Sequence, residues 1–380
     1  MTHLRIGIVT TDYPPTRGGI STLTQSLSKY LSHTSEVDSV VVLAMRNSLA
    51  TKEKINEKLS IVRATRKTFL GICFDTWKQM LNKRDVDVFH ATTVFPIGFI
   101  VLLLGKYVLK KPVFVSYYGT DLLTNEGSQF TKWAKKWTVT HAAKSIALGM
   151  NTRTLVEKKF GLKQETSIII SYALPDNVTQ SSELEKKRLR AEFRIEEDDF
   201  VILYVGNLIK RKGCHDLFDA VVGLKDERIK LIFIGTGPEL ECLEEKQKTL
   251  DVYSRIHFAG RRETLDSFYG IANVFCMPSY FDTASGDIEG LGIVFLEAAQ
   301  HQVPSIGTYS GGIPDAIQDG VTGFLVPERN IEALKEKILY LKNNPDISKK
   351  MGIEAQKFVK EKFDWHKNIK KHIDLYKSFL

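Results

Sequence analysis

Two glutamates frame the segment Glu289-Gly-Leu-Gly-Ile-Val-Phe-Leu-Glu297, with seven residues between them. If a helix begins near Gly292, its free backbone N–H groups and positive dipole end suit a diphosphate, and Gly290 and Gly292 let the backbone approach closely. Glu297, just over one turn inside, is placed to accept hydrogen bonds from ribose hydroxyls, and Glu289 to hold sugar hydroxyls. The neighbours Leu291, Ile293, Val294, Phe295 and Leu296 imply burial rather than a solvated helix face.

A cationic loop, Lys210-Arg211-Lys212, follows the predicted strand Val201 to Val205. Two phosphates leaving with a nucleotide need positive charge in the transition state. A solvated basic loop is the plain alternative. Gly18-Gly19 precedes a predicted helix, Ile20 to Leu31, and makes a phosphate-compatible turn, although a simple tight turn explains two glycines equally well. Asp85-Val86-Asp87 has the letters of a metal-binding DxD, but it opens a predicted strand where a metal–diphosphate pair should close one. The match reads as accidental. Cationic loops and helix ends can do a metal's work, so neither a metal nor another cofactor is expected.

Short β-rich runs alternate with amphipathic segments along the chain, the pattern of parallel sheets covered by crossover helices. The first predicted series is Arg5 to Thr10, Ser39 to Leu43, Val86 to His90, Val113 to Tyr117 and Lys144 to Leu148. The second is Val201 to Val205, Lys230 to Ile234, Ile256 to Ala259, Val274 to Met277, Ser305 to Gly307 and Gly323 to Val326. Between them, Ile168 to Gln180 with Leu174-Pro175-Asp176-Asn177 is the expected boundary, followed by a charged helix, Ser182 to Phe193. The spacing gives an α/β protein with an N-terminal domain over 1–173, a second over 174–360 and a C-terminal helix over 361–380, which is expected to cross back to the N-terminal domain. A break near Phe363-Asp364-Trp365 lets Asp364 cap that last helix.

The 380 residues carry a net charge of +8, placed unevenly: residues 1–180 hold 24 Lys/Arg against 13 Asp/Glu, and residues 181–380 hold 29 against 32. Composition alone leaves nucleic acid, an anionic membrane surface and a phosphorylated acceptor open as partners of the basic half. The four cysteines lie far apart with no CxxC pair, against a disulfide framework and a zinc knuckle. With no export signal visible, a cytoplasmic protein is expected. The apolar run Val94 to Leu104 falls short of the roughly 20 residues a bilayer span needs and reads as a buried helix. Phe130, Trp133, Trp137 and His141 recur at helical spacing among Lys132, Lys135 and Lys136. That pattern suits a helix lying on an anionic lipid surface or, equally, one packing its aromatics into the core. Lys110, Lys111, Arg63, Arg66 and Lys67 add to the basic half.

The Glu289–Glu297 segment resembles the E-x7-E signature of the retaining GT-B glycosyltransferases of family 4, and Glu-Gly-Leu-Gly-Ile-Val is especially similar to phosphatidylinositol mannosyltransferases. The resemblance runs through Tyr13-Pro14-Pro15 with Gly18-Gly19, Gly119-Thr120-Asp121, Val205-Gly206-Asn207-Leu208 with Lys212-Gly213, and Gly235-Thr236-Gly237-Pro238. It continues through Phe258-Ala259-Gly260, Ser310-Gly311-Gly312-Ile313-Pro314-Asp315 and Gly320-Val321-Thr322-Gly323. It implies a GT-B fold of two Rossmann-like domains facing each other across a deep cleft. The implied donor-binding residues are Gly18, Gly19, Asn207, Arg211, Lys212, Gly235, Gly237, Gly260, Arg261, Glu289, Gly290, Leu291, Gly292, Ile293 and Glu297, with the base read largely through backbone near Gly260-Arg261. Glu289, Tyr118 and Asp121 are the implied catalytic residues.

Two positions depart from the family pattern. Asn207 stands where relatives usually place a phosphate-binding Arg, and an amide cannot neutralise a phosphate. Tyr118 stands where they often place a His that contacts the donor sugar, and a phenol is no base near neutral pH without a large pKa shift. His90, at a strand end, reads as a core histidine. The implied reaction is metal-independent, retaining hexosyl transfer from a GDP- or UDP-sugar, GDP-mannose first, to a glycan or lipid-linked acceptor. The enzyme is expected on the inner face of the membrane, with no nucleic-acid partner. A phosphorylase, a sugar-nucleotide epimerase or a binding protein with a vestigial donor site is the competing reading. A Rossmann dehydrogenase is disfavoured because Leu4 to Ile20 lacks a GxGxxG turn.

Overall fold

The computed structural model describes residues 3–16, 18–45, 52–64, 68–123, 128–172, 174, 178 and 181–380. The chain divides into two compact units, Met1–Pro175 with Phe363–Leu380, and Asp176–Lys362.

In the first unit the strands are β1 (Leu4–Thr10), β2 (Val37–Ala44), β3 (Lys52–Lys54), β4 (Leu59–Arg63), β5 (Val88–Ala91), β6 (Val113–Tyr117), β7 (Lys144–Ala147) and β8 (Ser167–Ile169). They form one sheet in the order β3-β4-β2-β1-β5-β6-β7-β8, parallel except where β3 meets β4. Strands buried on both faces read as continuous apolar runs, which is why Val113 to Tyr117 and Ser39 to Leu43 stood out in the sequence, the second lengthened in the structure to Val37–Ala44. The charged edge strand Lys52–Lys54 and the three-residue β8 lack such a run. Because Ser167–Ile169 belongs to this sheet, the connecting segment begins later than Ile168; residues 175–177 and 179–180 of the expected boundary, like Arg66 and Lys67, lie outside the described residues. The last helix, Trp365–Lys377, is capped by Asp364, which accepts the Lys367 N–H at 2.7 Å. Its Ile369, Ile373 and Tyr376 join the core of this unit beside Leu4, Ile6, Phe114 and Ile146.

In the second unit β9 (Phe200–Val205), β10 (Ile229–Ile234), β11 (Ile256–Gly260), β12 (Val274–Cys276), β13 (Ser305–Thr308) and β14 (Gly323–Val326) form an all-parallel sheet in the order β11-β10-β9-β12-β13-β14. Every residue of β9 and β10 is buried. The helix Glu183–Glu192 starts at a capping box, Ser182 with Glu185. All four cysteines are free thiols.

Both sheets reverse their strand order at one point, between β1 and β5 in the first unit and between β9 and β12 in the second. In open α/β sheets ligands bind outside the carboxyl ends of the strands at such a switch point.

The run 94–104 departs from its expectation. Phe95 is extended, with φ −137° and ψ 138°, so the helical part begins after it and passes from Phe99–Leu102 into a π-helical turn over Leu103–Val108; only one side of the run is buried, with Ile97, Val101 and Leu102 enclosed and Leu103 exposed.

Candidate functional site

At the switch point of the second unit, β9 delivers Gly206 and β12 delivers Met277 and Pro278. Lys212 lies between them: a Cβ on Gly206 would stand 3.5 Å from its Nζ, and Nζ is 3.8 Å from Met277 Sδ. The turn Lys210–Lys212 ends in Gly213, whose positive φ of 69° lets it pack on the Pro278 carbonyl. The cationic triplet is therefore held at the strand ends, with the side chains of Arg211 and Lys212 only 15% and 17% exposed. That removes the solvated-loop alternative for these two.

Glu289 reaches the same point from the segment after β12. Its Oε2 lies 3.3 Å from Arg211 Nη1 and 3.5 Å from Lys212 Nζ. Gly311 makes this possible on the backbone side. It sits at φ 55°, and a Cβ there would come within 2.0 Å of the Glu289 carbonyl, which accepts the Gly312 N–H at 3.0 Å. Pro314 then opens the short helix Ile313–Ala316 in its first turn.

The helix Ile293–Gln300 starts at Gly292, φ 72°, as the sequence indicated, with Gly290 and Leu291 leading into it. Glu297 projects from its second turn. Its Oε2 accepts a hydrogen bond from the buried Tyr269 hydroxyl at 3.0 Å, and burial raises its carboxyl above the ordinary range despite that bond. Ser279 and Ser310, just past β12 and β13, are buried, and among the described residues their hydroxyls have no hydrogen-bond partner.

The remaining candidates of this unit are spread over adjacent strand ends. Asn207 is exposed directly after β9, and its carbonyl accepts the Tyr204 hydroxyl at 3.0 Å. Gly235 is packed so closely that a Cβ would meet the Gly206 carbonyl at 1.9 Å, and its N–H donates to the Gly260 carbonyl at 2.8 Å. Gly237 abuts Leu208, while Arg261 is exposed. These glycines join the loops after β9, β10 and β11 into one surface.

In the first unit, Gly18 and Gly19 open the helix Gly19–Ser32 beside the carboxyl end of β1. There Thr92 donates to Thr10 at 2.8 Å, joining β5 to β1. The Tyr118 phenol is buried against hydrogen bonds to Ser116 and Thr92, and burial raises its pKa. It is a weak acid held in place, far from acting as a base. Asp121 accepts the Tyr118 N–H at 2.9 Å through Oδ1, its Oδ2 has no hydrogen-bond partner among the described residues, and burial lifts its pKa to about 6. His90 is a core histidine, as expected, with Nδ1 2.7 Å from the Tyr376 hydroxyl and Nε2 2.7 Å from Ser116 Oγ. Burial drives its pKa well down. Asp87 of the DxD-like triplet is paired with Arg5 at 2.8 Å.

Two residues escaped the sequence reading. Asp287 accepts from Arg211 Nε at 2.5 Å, and Tyr269 anchors Glu297. Neither sits in a motif; Asp287 followed by Ile288-Glu289 was the only available hint.

Two Rossmann-like units, the second with Arg211, Lys212 and Glu289 gathered at its switch point, define an α/β protein of the GT-B kind. Residues 17–172 match the family described as Glycosyltransferase Family 4, and residues 185–358 match Glycosyl transferases group 1. The chain belongs to this glycosyltransferase family. It is 32% identical over 184 residues to the GDP-mannose-dependent alpha-(1-6)-phosphatidylinositol monomannoside mannosyltransferase of Mycobacterium tuberculosis, covering 47% of this chain and 48% of that one. The matched segment thus spans about half the length of that relative. The protein of the same description from Mycolicibacterium smegmatis is 26% identical over 377 residues, 94% of each chain. Among solved structures, Anabaena HepE in complex with UDP and glucose superposes with a TM-score of 0.82 at 18% identity, covering 99% of this chain and 100% of HepE, and so shares the fold.

Proposed function

We propose that this glycosyltransferase moves a hexosyl group from a nucleotide diphosphate sugar, with GDP-mannose the first candidate and UDP-hexose or UDP-N-acetylhexosamine next, to a glycan or lipid-linked acceptor. The observation that carries the donor assignment is the convergence of Lys212, Arg211 and Glu289 at the β9–β12 switch point. Lys212 and Arg211 bind the diphosphate, with Arg211 supplying the charge that Asn207 lacks. The N-terminus of Ile293–Gln300, entered through Gly290, Leu291 and Gly292, adds backbone donors. Glu297 takes the ribose hydroxyls, Glu289 the sugar hydroxyls, and Gly235, Gly237, Gly260 and Arg261 shape the nucleotide end.

The reaction is retaining and needs no metal. The bond from the anomeric carbon to the β-phosphate oxygen breaks, the departing phosphate takes the acceptor hydroxyl's proton, and the acceptor oxygen bonds to the same face. Cations at the phosphates stabilise the charge that develops. No side-chain base is required, consistent with a Tyr at 118. The basic first unit takes the acceptor and carries Tyr118 and Asp121 as candidate catalytic residues, and the enzyme works at the inner face of the membrane.

A thermal-shift panel of GDP- and UDP-sugars tests the donor, with stabilisation by one series expected. NMR of the product in the presence of EDTA tests the rest: an anomeric configuration equal to the donor's is expected, and inversion or loss of turnover would remove the mechanism.

A further inference from the structure

In the first unit an aromatic ladder lies in the open. Phe130 is 57% and Trp133 53% exposed on the helix Gln129–His141, so the core-packing alternative for this helix fails. Phe99 joins it from the neighbouring segment, its ring 6.1 Å from Phe130, 6.1 Å from Trp133 and 5.4 Å from Trp137. Tyr107 stacks on Trp137 at 6.2 Å and continues the strip, with Leu103 and Val108 exposed on the same segment. The helix Phe69–Leu81 packs beside this segment and exposes Leu70, Phe74 and Trp77.

The charges around the strip are of one sign. Residues 99–112 and 128–144 contain seven lysines and no Asp or Glu, and Lys106, Lys110, Lys132 and Lys136 are exposed. The helix Phe69–Leu81 contributes Lys78 at the surface, while its one acid, Asp75, is buried. Monomeric proteins rarely expose so continuous an apolar surface without a partner. A second copy docking face to face would set lysine against lysine. A nucleic acid would match the charge and stack on the rings, but offers little to Leu70, Leu103 and Val108. A bilayer interface matches all three features: acyl chains for the aliphatics, the headgroup region for Trp and Tyr, and anionic headgroups for the lysines.

We propose that this face, built from Phe69–Leu81, residues 99–108 and Gln129–His141, docks the protein on an anionic lipid bilayer. The inference rests on the reading of the protein as working at a membrane and names the surface that does it. Phe130, Trp133, Leu103 and Tyr107 enter the interface, and Lys106, Lys110, Lys132 and Lys136 neutralise headgroups. Binding therefore needs both the rings and the charge, and weakens with salt.

The test is co-sedimentation of the full chain with vesicles of phosphatidylcholine and phosphatidylglycerol or of phosphatidylcholine alone, with tryptophan emission followed in parallel. Expected are binding to the anionic vesicles, a blue shift, and quenching by brominated acyl chains. The double variant Phe130→Ser/Trp133→Ser should lower partitioning roughly tenfold or more. A second variant, Lys132→Gln/Lys136→Gln, should lower it about 25-fold, at roughly fivefold per lysine. Melting curves establish that both variants fold, and the charge variant keeps the test open if the other does not. No preference for anionic vesicles, or variants that bind like the parent, would overturn the proposal. So would lipid-independent self-association through Trp133, or an oligonucleotide that binds more tightly than vesicles. Nucleotide diphosphate stabilisation is measured on the same samples: its absence would overturn the transfer reading with vesicle binding intact, and its presence without vesicle binding would overturn only this surface.

Discussion

Arg211 is held between two carboxylates, with Nε 2.5 Å from Asp287 Oδ2 and Nη1 3.3 Å from Glu289 Oε2. Asp287 arrives there because residues 282–287 fold back on themselves, Asp282 N–H donating to the Asp287 carbonyl at 3.0 Å, while Tyr280 N–H donates to the Arg211 carbonyl at 2.8 Å. The arrangement fixes one edge of the guanidinium; in the proposed function the other edge exchanges Glu289 for a phosphate. Arg211→Ala should therefore weaken nucleotide diphosphate binding by about 2 kcal/mol. Asp287→Asn should weaken it less, and should have no effect in the Arg211→Ala background. Calorimetric titration of the four proteins completes the cycle; independent, additive losses would show that Asp287 does not act through Arg211.

Tyr269 and Glu297 form a second positioning pair. Removing the hydroxyl in Tyr269→Phe should cost about 1 kcal/mol of stability and a few-fold in nucleotide affinity. Glu297→Ala should reduce nucleotide affinity further, whereas Glu289→Ala should reduce turnover more than nucleotide affinity. Steady-state kinetics with titrated nucleotide separate the two effects, and unchanged kinetics in both glutamate variants would remove the assigned roles.

Gly311 has no room for a side chain. With its φ at 55° and the Glu289 carbonyl 2.0 Å from a notional Cβ, Gly311→Ala should destabilise the protein by about 1–3 kcal/mol and displace Glu289. Denaturant unfolding and kcat report the two consequences; a variant with native stability and native kcat would contradict the packing.

Asp121 gives a pH dependence of known sign. Burial, opposed by the Tyr118 N–H and by Lys135, lifts its pKa from the ordinary 3.8 to about 6. The folded state then holds the proton more tightly than the unfolded state. The resulting stabilisation is complete below pH 3.8 and is lost as pH rises through about 6. Asp121→Asn cannot lose it. Relative to the parent the variant should gain stability between pH 4 and 7, by up to about 3 kcal/mol, in paired denaturant titrations. A difference independent of pH would show that Asp121 ionises normally.

Much of the second unit was legible because its signals are local. Glycine spacing announced the helix start at Gly292, and apolar runs, Val201 to Val205 and the four residues after Lys230, announced β9 and β10, buried on both faces. Asp364 marked its own helix by the capping rule. The less visible features depend on long-range placement. Asp287 acts on Arg211 across 76 positions of sequence, and Tyr269 acts on Glu297 from another helix, so no window contains either pair. The run 94–104 looked wholly buried because hydropathy does not say which side of a helix the sheet covers. The choice for Trp133 between core and surface was likewise decided by its neighbours: Ala134, Lys135, Thr138 and Val139 take the buried side of that helix and turn the aromatics outward.

In the proposed function, Lys212 and its neighbours at the β9–β12 switch point bind the diphosphate of a nucleotide sugar. Titrating GDP, UDP and the corresponding monophosphates into the parent and Lys212→Ala tests it directly. The parent should bind one diphosphate clearly more tightly than its monophosphate, and Lys212→Ala should erase that difference while keeping monophosphate binding. A parent that binds neither diphosphate, or a Lys212→Ala variant that keeps the full preference, would contradict the account.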